Sequence, residues 1–212
     1  IHEQEIQSFI EFAHEKEQQG ILVHGIFDLM SFQTLQDLDV VEKQIQALTF
    51  DALFYVEEDG KYLSVVADQM EKHKAGAVYA GMVASLDIGE TPLNKAIPVS
   101  LKQHFAKKEL LYLEEIGVVS FRQSIKKGVV CATCPCAVRT PGAHKNIANF
   151  RIVQSVVLDI NHALSSLIGQ TGLVFKERQV QEYLLDILER YRQKKILREY
   201  AFGIVVSYLE GM

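Results

Sequence analysis

The stretch AGAVYAGMVASLDIGETPLNKAIP, residues 75–98, is the best starting point for reading the fold. Gly76, Ala80 and Ala84 recur every four residues, and Ala77 and Gly81 form a second row. On a helix this spacing makes a stripe almost free of side chains, against which another backbone can pack closely. No polar group on the stripe could do chemistry, so its local reading is an internal helix packed on a sheet. Pro92 and Pro98 then exclude helix from the polar loop Asp87–Pro98.

N-terminal to this stretch, helix and strand signals alternate. Ile6, Phe9, Ile10 and Ala13 lie at helical spacing over residues 3–18, and Gly20 stops that helix. ILVHGIF (21–27) reads as a short apolar strand. Leu35, Leu38, Val41, Ile45 and Leu48 predict a second helix, ALFYV (52–56) a second strand, and Glu57 to Gly60 a turn. Leu63, Val66, Met70 and His73 then predict an amphipathic helix. This order argues for an α/β fold with a parallel or mixed sheet flanked by helices.

C-terminal to it, Leu101, Phe105, Leu110 and Leu113 predict a helix over 101–116, ended by Gly117. VVSF (118–121) and VVCATCPCAV (129–138) flank a Lys-Lys-Gly turn and read as a β-hairpin. Pro135 has no amide proton to donate, which predicts an edge strand or a bulge. Two amphipathic helices follow. One runs from a cap at Asn149 to Gly169 through Val153, Val157, Ile160, Leu164 and Leu167. The other covers 177–195, with Asp186 and Arg190 paired on its outer side, and FGIVVSYL (202–209) predicts a last strand.

Composition sets broad limits. The 212 residues suit one domain with a real core, so residues 1–212 are expected to form a single α/β domain. Apolar residues make up 48% and charged ones 23%, and the net charge of −5 comes without a basic stripe, which argues against nucleic acid as a partner. No apolar run reaches the length of a membrane span, so direct membrane insertion is not expected. The chain starts at Ile1 rather than Met, which suggests an excised piece of a longer protein.

Chemistry-bearing residues are few. Cys131, Cys134 and Cys136 crowd into six residues. In an extended strand Cys134 and Cys136 share a face and Cys131 points away. His144 could add a fourth ligand, but the spacing matches no standard zinc module. A metal- or thiol-regulated binding protein built on these residues stays open as an alternative. Cysteine as a buried packing residue is the simpler reading, and it fits a reducing compartment. His24, followed by Gly25 and Asp28, is the best catalytic candidate, near the end of a strand where parallel sheets bind ligands. An α/β enzyme with a pocket at His24 and Asp28 is the other alternative, though a core histidine explains His24 as well. No GxGxxG, P-loop, GxSxG or HExxH is present. No catalytic, cofactor-binding or metal residue is assigned, no cofactor is expected, and the chain reads as a non-enzyme.

From Leu48 to Ser207 the order of features resembles the tail sheath proteins of contractile bacteriophages and related injection systems. Four elements carry the resemblance: FDALFYVEEDGKYLSVVADQMEKHK (50–74); the Gly/Ala helix with its loop ETPLNKAIP (90–98); the helix-plus-hairpin that finishes at Arg139-Thr140; and NFRIVQSVVLDINHALSSLIGQTGLVFK (149–176) with the helix after it. The resemblance implies a structural subunit that polymerises helically around a tail tube. Contraction would drive the tube through the target envelope. The implied partners are neighbouring sheath subunits, forming a homo-oligomer, and the tail tube protein. The implied location is the virion tail, assembled in the bacterial host cytoplasm. Terminal arms that add strands to neighbouring sheets would lie outside these residues, leaving this chain monomeric or weakly associated.

Overall fold

A computed structural model describes residues 3–29, 59–138, 142, 145–165 and 177–203. The predicted helix over 35–48 and strand at 52–56 lie outside them, as do Arg139-Thr140 and most of 202–209. The chain divides into two compact units, residues 1–151 and 152–212.

In the first unit, α1 (Glu3–Gln18) ends as expected before Gly20, whose φ is 74°. β1 (Gly25–Leu29) follows, and a 3-10 turn (Asp59–Tyr62) leads into β2 (Leu63–Ala67). After α2 (Ala75–Ser85) come the two-residue β3 (Ala96–Ile97), α3 (Lys107–Glu115) and the hairpin β4 (Val118–Ser124) and β5 (Gly128–Thr133). These five strands form one mixed sheet in the order β1-β2-β4-β5-β3. β1-β2 and β2-β4 are parallel, while β4-β5 and β5-β3 are antiparallel.

The helix predicted from Leu63, Val66, Met70 and His73 is instead the strand β2. All five of its residues are buried, because it lies between β1 and β4 with both faces covered. A strand of this kind reads as an unbroken apolar run, so a helical period can be drawn through it by accident.

Alternate residues of the sheet feed two cores. Val66, Val119, Phe121, Val129 and Cys131 pack with Ala75, Tyr79 and Met82 of α2, together with Met70 and Leu101. Leu29, Val65, Ala67 and Val118 pack with Leu113 of α3 and with Phe105. Phe9 of α1 meets Phe27 edge-on at 5.5 Å. Gly25 leaves room for this contact, since a Cβ there would lie 2.8 Å from the Phe9 ring.

The predicted helix over 101–116 starts only at Lys107. Upstream, residues 100–102 run alongside 69–71: the Lys102 N–H donates to the Gln69 carbonyl at 2.8 Å, and Glu71 to that of Ser100 at 3.2 Å. Gly117 does end this helix, with φ at 84°.

β5 stops at Thr133, two residues before Pro135, and lies between β4 and β3. The edge strand or bulge expected at Pro135 is therefore not found there. The irregularity falls earlier on β5, where Ala132 is the extra residue opposite the Ser120–Phe121 step of β4.

α4 (Ile147–Ser165) begins earlier than expected, because its cap is Asn146 rather than Asn149. The Asn146 Oδ1 accepts the Ala148 N–H at 2.9 Å. In the second unit, the Tyr191 hydroxyl of α5 (Glu177–Gln193) lies 2.6 Å from Ser155 Oγ and donates to Asp159 at 3.1 Å. Ile187, Leu188 and Tyr191 are its buried residues, and Asp186 and Arg190 form the expected ion pair at 3.4 Å.

Candidate functional site

The small-residue helix α2 is the natural centre of the site. It buries Ala75, Gly76, Tyr79 and Met82, which is the side facing the sheet. Neither of its two predicted rows is buried along its whole length. Gly76 is buried, but Ala77, Gly81 and Ala84 are exposed, and a Cβ on Gly81 would meet nothing within 4 Å. The close approach that the glycine permits is to a carboxylate rather than a backbone: a Cβ on Gly76 would sit 3.2 Å from Asp28.

That carboxylate caps the helix. Lys74, the residue before α2, makes no side-chain cap bond. Asp28 Oδ1, arriving from β1, accepts the Gly76 N–H at 2.6 Å. An anion at a helix N-terminus satisfies an orphan donor and opposes the positive end of the dipole. At the other end, Arg151 donates to three carbonyls, Leu86 at 2.6 Å, Asp87 at 3.1 Å and Glu90 at 3.3 Å. No local pattern marks this clamp beyond a cation inside an apolar helix.

Asp28 is thus engaged structurally, and it is not brought together with His24. His24 precedes β1 and lies at its N-terminal end, opposite the end where parallel sheets bind ligands. Four residues of extended chain, about 13 Å, separate it from Asp28. His24 Nε2 lies 2.9 Å from Ser64 Oγ, and its ring stacks obliquely on Phe150 at 4.8 Å. This pairing resembles part of a nucleophilic dyad, but Ser64 is fully buried in the middle of the sheet, where no substrate reaches it. The His24 Nδ1 is also buried and has no hydrogen-bond partner. Burial lowers the His24 pKa to about 4, so the ring is neutral at physiological pH.

The cysteines are arranged differently from the strand expectation. Since β5 ends at Thr133, the alternation of faces does not extend to Cys134. Cys131, instead of pointing away, belongs to the core against which Cys134 packs, and its thiol donates to the Thr133 carbonyl at 3.2 Å. Cys131 and Cys136 are buried and Cys134 is partly exposed. The Thr91 hydroxyl lies 3.2 Å from the Cys134 sulfur, and its oxygen accepts the Leu93 N–H at 3.3 Å. The neighbouring Cys131 thiol, helped by Thr91, draws the Cys134 thiol below its usual range, whereas Cys131 is pushed far up by the neighbouring Cys134 and by burial. Burial also pushes Cys136 up to about 12. Among the described residues no group of three His, Cys, Asp or Glu side chains could hold a metal ion; His144 lies outside them.

An open groove of about 520 Å³ runs between α3 and the hairpin, lined by His104, Phe105, Leu110, Glu114, Arg122 and Gln123 among others. No helix of the described residues is long and apolar enough to cross a membrane.

A mixed sheet with a helix-capping aspartate, a Gly/Ala helix and a clamped polar loop defines a packing scaffold. No protein-family model matches the chain, and no curated protein matches it either. Solved structures do match. The PVC sheath complex of an extracellular contractile injection system, in its contracted state, aligns with a TM-score of 0.64 at 17% identity, over 90% of this chain and 52% of that one. The sheath tail protein of Listeria innocua gives 0.60 at 11% identity over 95% and 52%, and the contracted helical sheath of the anti-feeding prophage 0.58 at 15% over 85% and 49%. The chain therefore carries the fold of contractile tail sheath proteins. It spans about half the length of the solved sheath chains it matches.

Proposed function

We propose that this chain is core sequence of a sheath subunit from a contractile phage tail or phage-like injection system. The observation that carries this reading is the extent of the likeness: sheath subunits, two of them in contracted assemblies, match between 85% and 95% of the chain. The full burial of Ser64, with His24 only half-buried beside it, supports a structural rather than a catalytic role. In this reading the subunit polymerises helically around a tail tube protein and contracts to drive the tube through the target envelope. It does so in the virion tail after assembly in the host cytoplasm, without nucleic acid or membrane insertion. The 212 residues act as one core domain, and the arms that join neighbours by strand addition lie elsewhere in the subunit.

Two preparations test this. Negative-stain microscopy of the full-length gene product should show rings or striated tubes, and their absence under all assembly conditions contradicts the sheath role. Sedimentation of the 212-residue chain should give a monomer or a weak dimer. Tubes formed by this chain alone would overturn the assignment of the contacts to arms.

A further inference from the structure

We propose that copies of this chain dock on one another through the β4–β5 hairpin, with the basic hairpin tip of one copy seated on the acidic end of α3 in the next. The proposal rests on the sheath reading, in which copies repeat along a helix, and it adds a charge-dependent contact to the arms.

Two exposed patches carry matching chemistry. At the hairpin tip Ile125 is 105% exposed, and the exposed Lys126 and Lys127 follow it. Near the C-terminal end of α3, Leu111 is 56% exposed, and the exposed Glu114 and Glu115 lie one turn further on. Each patch is an apolar side chain beside two like charges, and the two patches have opposite signs. Leu111 and Glu114 also line the open groove beside the hairpin, which gives the apolar tip a place to enter.

Neither patch is satisfied within its own chain. Among the described residues, none of the four charged groups makes an ion pair. Lys127 reaches only the Asn94 carbonyl, at 3.5 Å, and Lys145 donates to the carbonyl of Glu115 at 3.1 Å, not to its carboxylate. Glu115 precedes the seven-residue β4 and Ile125 follows it, so the patches are held about 20 Å apart by the strand itself.

α3 is also charged against its own dipole. Lys107 and Lys108 stand at its N-terminus and Glu114 and Glu115 at its C-terminus, and only Glu109 in the first turn has the favoured sign. Charges that destabilise their own helix point to a use outside it. Like patches repel, so each tip meets the α3 end of another copy, and in a helical array that pairing runs head to tail.

The test mixes equal amounts of unlabelled and heavy-isotope-labelled 212-residue chain at high concentration and low salt. A carbodiimide that joins amines to carboxylates at zero length should link Lys126 or Lys127 to Glu114 or Glu115, in peptides pairing light with heavy chains. Sedimentation should show weak association that falls as salt rises. Lys126→Glu/Lys127→Glu and Glu114→Lys/Glu115→Lys should each weaken it at least about tenfold, and mixing the two variants should restore it. Cross-links confined to peptides of equal isotope, none at these lysines, or association that neither reversal weakens would overturn the proposal. The sheath reading is decided separately: tubes of the full-length product without these cross-links would leave it standing and remove this contact.

Discussion

The side-chain amide of Gln69 and the backbone of Phe121 exchange two hydrogen bonds. Nε2 donates to the Phe121 carbonyl at 3.0 Å, and the Phe121 N–H donates to Oε1 at 2.7 Å. Gln69 lies just past the end of β2, and Phe121 stands opposite the bulge in β5. The glutamine thus stands in for a strand residue beyond the end of the β2–β4 ladder. Gln69→Ala would leave a buried N–H and a buried carbonyl unpaired, an expected loss of about 2–4 kcal/mol in urea unfolding. A loss below about 0.5 kcal/mol would mean that water replaces the amide.

Gly117 closes α3 with a backbone conformation that side chains disfavour, and a Cβ there would lie 3.0 Å from the Ala137 backbone. Strain and crowding act together, so Gly117→Ala should cost about 1–3 kcal/mol. Thermal melts should show the variant several degrees less stable, and an unchanged midpoint would contradict the geometry.

Asp28→Asn should weaken the cap of α2 while keeping its shape. The charge-assisted bond to Gly76 and the dipole interaction are both reduced, an expected cost of about 1–2 kcal/mol. Hydrogen exchange of the first turn of α2 should rise with it. Exchange unchanged from wild type would show that Asp28 merely fills space.

His24 gives the fold a definite pH dependence. Its pKa in the folded chain is about 4 against 6.5 when free, so between these values the unfolded state binds the extra proton. Stability contributed by the neutral ring is therefore complete above about pH 6.5 and is lost progressively toward pH 4, about 3 kcal/mol in all. Denaturation at pH 7 and pH 4.5 should show this slope in wild type and a flatter one in His24→Gln. Equal slopes would assign the acid sensitivity to carboxylates instead.

Local signals in the sequence carried the elements whose burial is one-sided. α1 with its Gly20 stop, the hairpin and the Asp186–Arg190 face of α5 all follow from periodicity or turn chemistry. β2 did not, because burial on both faces erases the alternation that marks a strand. Asn149 lies three residues beyond Asn146 with the same capping chemistry, so local sequence does not distinguish the two. The pairs that define the candidate site, Asp28 with Gly76, Gln69 with Phe121 and Arg151 with Leu86, join residues 48, 52 and 65 positions apart. No local pattern encodes such contacts. The facing of Cys131 and Cys134 depended on where β5 stops, and an apolar run does not announce its last paired residue.

The central claim, that this fold is the core of a sheath subunit, is tested most directly by cryo-electron microscopy of the full-length product with helical reconstruction. The account predicts tubes whose repeating subunit contains the β1-β2-β4-β5-β3 sheet, with α2 packed on one face and α3 on the other. A product that stays dispersed, or tubes whose subunit lacks this sheet, would contradict it.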